Sequence, residues 1–290
     1  MKKAKPISRG RASRKTAKKK RWLGSEGRKF LIIFSLLLVF AATIYHYREA
    51  LAYYFAFKSK KVSHDQELFD VRNYQVLSER GNKAIGLDVS QYQGYIDWDK
   101  TDSIENTFPL DFVFVRATAG KDLVDSRFNY NWKNTEDSHL IRGAYHYYRP
   151  DEPSLEQALN FINTVKLRPG DLPPVLDIEQ LPRRQPLDSL RKGLRRWLDA
   201  VEKHYKVRPI IYSGQKYYED FLKQEFPEYK FWIANYNFFV ERMDDSWLCW
   251  QFTEKANVPG IEGNVDLNLY NGTREDIIRM TLGADEKIKP

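Results

Sequence analysis

The chain has 290 residues and a mass of 34.3 kDa, and 42% of its residues are hydrophobic, so it can bury a large core. A single cysteine, Cys249, excludes an intramolecular disulfide and a cysteine-based zinc cluster. The net charge of +8 is unevenly spread: residues 1–29 carry 13 Lys and Arg and one acid, whereas the rest carries 34 bases and 38 acids. The globular part is therefore mildly acidic, and we expect no nucleic-acid partner for it.

An apolar stretch without a charge covers residues 30–45, directly after the basic segment. As a helix it is about 24 Å long, slightly short of the ~30 Å hydrocarbon core of a bilayer, and residues 46–57 would extend it. Basic residues on one side only are typical of a cytoplasmic flank. We therefore predict a basic cytoplasmic tail over 1–29, a transmembrane anchor over 30–50 and an irregular stalk over 51–80. Everything after the anchor is then exported, to the periplasm or cell envelope.

Three other interpretations of the N-terminal region stay open. A cleaved signal peptide would use the small-residue site around Ala41, although a 29-residue basic leader is long for such a peptide. A buried core helix has a similar composition, but the basic flank argues against it. The run from Lys2 to Lys20 would suit a nucleic-acid-binding arm, although no aromatic residue interleaves with its charges.

From residue 84 onward, short apolar runs alternate with amphipathic segments. Several of the runs are continuously apolar and end in a polar residue, which is typical of parallel strands buried on both faces. The eight predicted strands are Ala84–Ser90, Phe112–Thr118, Ile141–Tyr148, Pro174–Gln180, Pro209–Ser213, Lys230–Tyr236, Leu248–Thr253 and Asn264–Tyr270.

Five segments between the strands have helical patterns. The strongest has an apolar stripe through Leu190, Leu194 and Trp197, and in the next Ser154 and Gln157 match a capping box. The predicted helices are Asp188–Tyr205, Leu155–Leu167, Lys216–Phe226, Trp98–Phe108 and Asn129–Leu140.

The order of these elements indicates the fold class. Each of the first five strands is followed by room for a helix, and each of the last three is not, so the pattern favours a (β/α)₈-type barrel with three helices missing. An open doubly wound sheet is the competing architecture. No Gly-rich phosphate loop follows the first strand, so a nucleotide-binding sheet gets no support.

Acidic residues mark the ends of the predicted strands, where a barrel carries its chemistry. Asp88 ends the first strand, Asp177 and Glu179 end the fourth, and Asp266 lies on the eighth. Residues two apart in a strand share a face, with Cα atoms about 6.6 Å apart. Two buried carboxylates so close together cannot both ionise cheaply, so we expect a raised pKa for one of them.

This pair of acids has three interpretations. A protonated carboxylic acid beside an ionised one is what a glycoside hydrolase uses. The same acids suit a divalent metal such as Mg²⁺. They also suit structural ion pairs, for which Arg116 and Lys121 are available. The spacing alone leaves all three open.

The motifs at these positions resemble, in order, those of family 25 glycoside hydrolases. The matching segments are IGLDVSQYQGYIDW, FVFVRATAG, IRGAYHYYRP, PVLDIEQ, PIIYSG, FWIANY, WQFT and NVDLN, over residues 84–272. The resemblance implies a muramidase (lysozyme), which cuts peptidoglycan between N-acetylmuramic acid and N-acetylglucosamine. It also implies a modified TIM-type (β/α)5(β)3 barrel, here over 81–275, with a C-terminal tail over 276–290.

The resemblance also implies roles for individual residues. Glu179 is then the general acid, Asp177 assists the 2-acetamido group of the substrate, and Asp88 and Asp266 support the pocket. The residues expected to line the sugar site are Tyr145, Tyr147, Tyr212, Tyr236 and Gln251. The expected partners are peptidoglycan glycan strands and the membrane, with no cofactor, no metal and a monomeric chain. The alternative is a non-catalytic, membrane-anchored glycan-binding barrel, against which the four intact acids argue.

Other conspicuous residues have structural interpretations. His146 alternates with Tyr145 and Tyr147 and is expected to face the helix layer. Cys249 is expected to be buried, to point outward from the barrel and not to act as a nucleophile. Trp232, Trp247 and Trp250 are expected to be packing residues. The Arg183-Arg184 pair departs from the family's pattern and leaves the preferred glycan open.

Overall fold

A computed structural model describes residues 25–48, 51, 64–104, 107–136 and 138–284. The chain forms two compact units, one up to Arg48 and one from Glu49 onward. The basic tail before residue 25, most of the first half of the expected stalk and the end of the C-terminal tail lie outside the described residues.

The described part of the first unit forms the helix α1 (Ser25–His46). Its segment Glu26–His46 is long and apolar enough to cross a membrane, and none of its most apolar stretch is buried. At 1.5 Å per residue, 21 residues span about 31 Å, close to the ~30 Å of a hydrocarbon core. The helix therefore extends beyond the uncharged run 30–45 at both ends, and the residues added before Phe30 include the charged Glu26, Arg28 and Lys29.

The second unit is a closed barrel of eight strands. Their order around the barrel is β1 (Ile85–Val89), β4 (Phe112–Ala119), β6 (Ile141–Tyr147), β7 (Val175–Asp177), β8 (Ile210–Gly214), β9 (Lys230–Ala234), β10 (Cys249–Ala256) and β11 (Val265–Tyr270). The barrel closes because β1 pairs with both β4 and β11. The predicted barrel is confirmed, and an open doubly wound sheet is excluded.

One strand runs against the predicted direction. Going around the barrel from β1 through β4, β6, β7, β8 and β9 to β10, each strand is parallel to the next. The strand β11 is antiparallel to both of its neighbours, β10 and β1. The start of β11 therefore lies where the other strands end, and Asp266 is directly opposite Asp88 in the register. The parallel pattern that several of the apolar runs indicated thus applies to seven of the eight strands, and β11 is the exception.

The crossover helices agree with four of the five predictions. They are α3 (Phe128–Asn134), α4 (Ser154–Thr164), α5 (Leu187–Tyr205) and α6 (Gln215–Tyr217), which continues as a π-helical turn to Leu222. The predicted capping box at Ser154 and Gln157 is absent, because the helix begins after Pro153. The Gln157 side chain instead bonds the backbone of Arg149 and Glu152.

The predicted helix Trp98–Phe108 was wrong. The structure has a 3₁₀ turn at Trp98–Lys100 and then a small hairpin of β2 (Ser103–Ile104) and β3 (Phe108–Pro109). Trp98, Ile104 and Phe108 are all buried, so the hairpin hides the same apolar residues that suggested a helix. A further short strand, β5 (Leu123–Val124), pairs with the end of β4.

The second half of the expected stalk is a helix, α2 (His64–Ser78), which packs on β10. Val76 and Leu77 are buried there together with the polar residues Arg72, Asn73 and Gln75. Because β10 has no crossover helix of its own, α2 covers a strand that would otherwise be bare. A last helix, α7 (Arg274–Arg279), crosses the expected boundary between barrel and tail at 275/276.

Side chains alternate between two apolar layers along the strands. One layer lies between strands and helices and includes Val113, Leu176 and Trp250. The other lies inside the barrel, where Phe114 stacks on Trp232. Cys249 belongs to this inner layer, so its expected outward orientation was wrong.

His146 faces the helix layer, as predicted. The side chain is fully buried, hydrogen-bonds to Thr118 and Gln157, and stacks on Trp197. Burial lowers its pKa to about 3, so the ring is neutral at physiological pH. The buried environment of Trp247 and Trp250 likewise agrees with the expected packing role.

Candidate active site

A cleft of about 460 Å³ opens at the end of the barrel where the parallel strands terminate. All nine residues predicted for the site line this one cleft: Asp88, Tyr145, Tyr147, Asp177, Glu179, Tyr212, Tyr236, Gln251 and Asp266. They come from seven of the eight strands or from the residues directly after them. The barrel thus brings together side chains that are up to 178 positions apart in sequence.

Asp177 and Glu179 lie at the end of β7, and the backbone between them is fixed on both sides. The Tyr148 N–H donates to the Asp177 carbonyl (2.8 Å), and the Ile178 N–H donates to the Tyr212 carbonyl (3.0 Å). Ser213 Oγ donates to the Ile178 carbonyl (2.5 Å). The alternation of the strand then directs both carboxyl groups into the cleft while Ile178 is buried behind them.

Burial raises the pKa of both acids. Burial, followed by the charge of Glu179, raises the pKa of Asp177 well above its usual range, and its side chain hydrogen-bonds to Glu179. Partial burial also raises the pKa of Glu179, but a hydrogen bond from Asp177 opposes that rise. The pKa of Asp177 is therefore raised more strongly than that of Glu179, so a proton taken up by the pair favours Asp177, whereas the expected role of general acid places it on Glu179. The expectation that one of the pair has a raised pKa agrees with this arrangement.

The two members of the pair differ in exposure. Asp177 is 5% exposed, and among the described residues its Oδ1 atom has no hydrogen-bond partner. Glu179 faces the solvent of the cleft although protein atoms surround much of its side chain. A buried acceptor without a partner is costly, so Asp177 Oδ1 is suited to a donor that arrives with a ligand.

Asp88 is held by two amides. Gln251 Nε2 and Asn268 Nδ2 both donate to Asp88 Oδ2, at 2.7 and 2.8 Å. Burial raises the pKa of Asp88 to about 6, and these two hydrogen bonds limit the rise. Asp88 is therefore mostly ionised at neutral pH and close to its titration range.

The donors to Asp88 are themselves oriented by aromatic side chains. The hydroxyl groups of Tyr212 (2.7 Å) and Tyr236 both donate to Gln251 Oε1, which turns the Nε2 group toward Asp88. Trp232 Nε1 donates to Asn268 Oδ1 at 2.7 Å and orients that amide in the same way. One hydrogen-bond network thus joins three of the residues expected to line the sugar site: Tyr212, Tyr236 and Gln251.

Asp266 lies beside Asp88 on the antiparallel strand β11. Burial and the charges of Asp88 and Glu254 raise its pKa to about 9, so the group is protonated at neutral pH. Five carboxyl groups line the cleft, and the raised pKa values of Asp177 and Asp266 lower its negative charge.

Structural ion pairing does not explain the central acids. Arg116 pairs with Asp125 (Nε to Oδ2, 2.8 Å) and lies over the Tyr92 ring at 4.8 Å. Its charge lowers the pKa of Asp177, but only as a minor contribution. Within the described ranges neither Arg116 nor Lys121 forms an ion pair with Asp177 or Glu179, so this interpretation of the acids was wrong. No cluster of three or more His, Cys, Asp or Glu among those residues is arranged to hold a metal.

The cleft also contains residues that the sequence analysis did not select. Tyr92 and Arg149 follow strand ends directly, which is a signal that was available in the sequence. Trp232 faces the cleft because it alternates with the outward-facing Phe231 and Ile233. Glu254 reaches the cleft beyond a register shift in β10 after Gln251, which the sequence did not indicate.

Comparison with known proteins identifies the class of protein to which this fold and cleft belong. The model of the family "Glycosyl hydrolases family 25" matches residues 87–261. The uncharacterized protein YegX of Escherichia coli O6:H1 is 34% identical over 265 residues, which is 89% of this chain and 96% of that protein. Lysozyme M1 of Streptomyces globisporus is 29% identical over 67% of this chain and 70% of its own length.

A solved structure agrees with these matches. A family 25 glycosyl hydrolase from Bacillus anthracis superposes with a TM-score of 0.60 at 29% identity, and covers 69% of this chain and 94% of that one. The chain belongs to glycosyl hydrolase family 25. It is a glycoside hydrolase of the muramidase type, and its substrate is peptidoglycan.

Proposed function

We propose that this chain is an N-acetylmuramidase that cleaves the β-1,4 bond between N-acetylmuramic acid and N-acetylglucosamine, with Glu179 as the general acid and Asp177 as its partner. The observation that carries the proposal is that Asp177 and Glu179 line one cleft from the end of the same strand, with the first carboxyl group buried and the second facing the open cleft. Environments that separate the protonation of two neighbouring carboxyl groups are suited to acid–base chemistry on a glycosidic bond.

Substrate binding redistributes a proton held by the pair. The unpartnered Asp177 Oδ1 accepts a hydrogen bond from the acetamido N–H of the muramic acid unit, which favours the ionised form of Asp177. Its proton passes along the existing hydrogen bond to Glu179, which then faces the glycosidic oxygen as an acid. The proton is thus on Asp177 in the empty enzyme and on Glu179 when the substrate is bound.

The substrate supplies the nucleophile. Glu179 protonates the leaving oxygen while the acetamido oxygen attacks the anomeric carbon, which forms an oxazolinium ring and breaks the glycosidic bond. Ionised Asp177 stabilises the positive charge of that ring. Glu179, now deprotonated, takes a proton from a water molecule that opens the ring from the leaving-group face. Two inversions give net retention without an ester between sugar and enzyme.

The remaining acids and the hydrogen-bond network shape the pocket. Asp88 has a pKa of about 6, and Gln251 holds it in one orientation, so its carboxylate favours positive charge that develops on the sugar. Asp266, protonated, contributes a donor in place of a second charge. Tyr145 and Tyr147 offer ring faces and hydroxyl groups to the sugar, together with Tyr212 and Tyr236.

The bond that is cut can be read from the products. Purified peptidoglycan digested by the enzyme and then reduced with borohydride is analysed by mass spectrometry. A muramidase yields products with reduced muramic acid at the end, and reduced glucosamine would contradict the assignment. Glu179→Gln serves as the matched inactive control, because it replaces one carboxyl oxygen by an amide NH2 group and keeps the size of the side chain.

We also propose that residues 30–50 anchor the enzyme as a single-pass protein, with the basic tail 1–29 in the cytoplasm and the barrel over 81–275 exported as a monomer. The apolar helix α1 supports this proposal, as does the family's action on cell walls. Protease added to spheroplasts should digest the barrel and spare an N-terminal tag. The reverse pattern, or a mature chain that begins near Ala42, would contradict the anchor.

A further inference from the structure

A buried arginine on α2 joins that helix to the cleft side of the barrel. Arg72 has no exposed surface, and its guanidinium donates to three backbone carbonyls: those of Phe252 (2.6 Å), Asn237 (3.1 Å) and Val240 (3.0 Å). The guanidinium also lies 5.8 Å from the centre of the Trp250 ring. Burying a charge is costly unless it is hydrogen-bonded, and the rigid fork of arginine fixes the positions of its acceptors.

Two of the three carbonyls that Arg72 holds belong to residues that directly follow cleft residues. Phe252 follows Gln251 on β10, and Asn237 follows Tyr236 in the loop after β9. The Tyr236 hydroxyl donates to Gln251 Oε1, and Gln251 Nε2 donates to Asp88. A single guanidinium therefore fixes the backbone on both sides of the Tyr236–Gln251 hydrogen bond.

The helix that carries Arg72 precedes the segment matched by the family model, which begins at residue 87. It is nevertheless docked firmly on the barrel. Lys255 on β10 lies 4.1 Å from the Phe69 ring, and Tyr74 packs edge-on against Phe108 at 5.6 Å. The chain between the apolar helix α1 and the barrel thus includes a structural part of the catalytic unit.

We propose that Arg72 is a positioning residue for the hydrolase site, which acts by holding the loop after β9 and the strand β10 so that Tyr236 and Gln251 orient Asp88. This inference rests on the proposed roles of Tyr236, Gln251 and Asp88 in the cleft. Arg72 itself does not touch the substrate. Its loss leaves the acids in place but lets Gln251 turn away from Asp88.

A double-mutant cycle between Arg72 and Tyr236 tests this coupling. Arg72→Lys keeps the charge and offers fewer, less directed donors, and Tyr236→Phe removes only the hydroxyl group. With a soluble peptidoglycan oligomer as substrate, we expect Arg72→Lys to lower kcat about 10-fold, with KM changed by no more than about 2-fold. In the Tyr236→Phe background the same substitution should have a clearly smaller effect, because the hydrogen bond it disturbs is already absent.

The matched control is Arg80→Met, just beyond the end of α2. Arg80 donates to the Leu77 carbonyl and lies 5.1 Å from the Phe108 ring, so its loss weakens the docking of α2 without touching the loop after β9. We expect it to lower the melting temperature but to leave kcat unchanged and to show no coupling with Tyr236→Phe. Arg72→Gln, which retains two N–H donors, is the second variant if Arg72→Lys does not fold.

The outcomes separate this inference from the proposed function. Additive effects of Arg72→Lys and Tyr236→Phe, or an unchanged kcat in a folded Arg72 variant, would overturn the positioning role alone. A Tyr236→Phe enzyme with normal kcat would overturn it together with the role of Tyr236. An active Glu179→Gln enzyme would instead contradict the proposed catalytic pair, whatever the cycle shows.

Discussion

The buried carboxyl group of Asp266 is expected to destabilise the fold at neutral pH, and the substitution Asp266→Asn should remove this cost. Asp266 has an ordinary pKa of 3.8 and a pKa of about 9 in the folded chain, because burial and the charges of Asp88 and Glu254 oppose its ionisation. Between these two values the folded state binds a proton that the unfolded chain has released. The contribution of Asp266 to the free energy of unfolding is thus fully present below pH 3.8 and is lost as the pH rises toward 9.

The size of the effect follows from the span of pH. Each pKa unit corresponds to about 1.4 kcal/mol, so the interval between the ordinary pKa and pH 7 sets an upper bound of about 4 kcal/mol. Solvent in the open cleft screens the neighbouring charges and reduces this value. We therefore expect Asp266→Asn to be about 1 to 2 kcal/mol more stable than the native chain at pH 7, with a larger difference at pH 9.

Urea unfolding of both proteins at pH 4, 7 and 9 measures this difference. The stabilities should differ least at pH 4, close to the ordinary pKa of Asp266, where the unfolded chain still holds part of the proton, and the difference should grow as the pH rises. Asp245→Asn, in the exposed loop before β10, is the matched control and should follow the native chain at every pH. Equal stability at pH 9, or a variant less stable than the native chain there, would refute the reasoning.

Further predictions concern the catalytic pair and its support. Glu179→Gln should remain folded and lower kcat about 10²- to 10⁴-fold, whereas Glu254→Gln in the same cleft should stay within about 3-fold; near-normal turnover of the first would contradict the assignment. Asp177→Asn should cost a comparable amount, measured with the same substrate. Trp232→Phe removes the donor that orients Asn268, so the pKa of Asp88 should rise above about 6 and the acid limb of kcat/KM should move to higher pH; an unmoved limb would contradict this.

The barrel and the cleft were predictable because their signals are local. Several strands have an apolar run that ends in a polar residue, and eight strand signals, of which the first five are followed by room for a helix, specify the architecture. The side-chain alternation of a strand then places Asp177 and Glu179 on one face. The same rule places Cys249 with Gln251, two residues away, so the outward orientation assigned to Cys249 was inconsistent with the sequence itself.

Other features depend on contacts between distant parts of the chain. The direction of β11 is set by its pairing with β1 and β10, and its own apolar pattern is the same in either direction. The helix α2 has no clear apolar stripe, because its buried residues include the polar Arg72, Asn73 and Gln75, and Arg72 contacts a strand 180 residues later. The preferred position of a proton on the pair depends on the relative burial of Asp177 and Glu179, which spacing does not reveal.

The stereochemistry of the reaction tests the central claim most directly. If the acetamido group of the substrate is the nucleophile and Glu179 serves first as acid and then as base, the muramic acid product is released with its original anomeric configuration. Proton NMR of the first-formed product, recorded before mutarotation, should therefore show the β anomer. An initial α anomer would mean a single displacement by water, and the roles proposed for Asp177 and Glu179 would then be wrong.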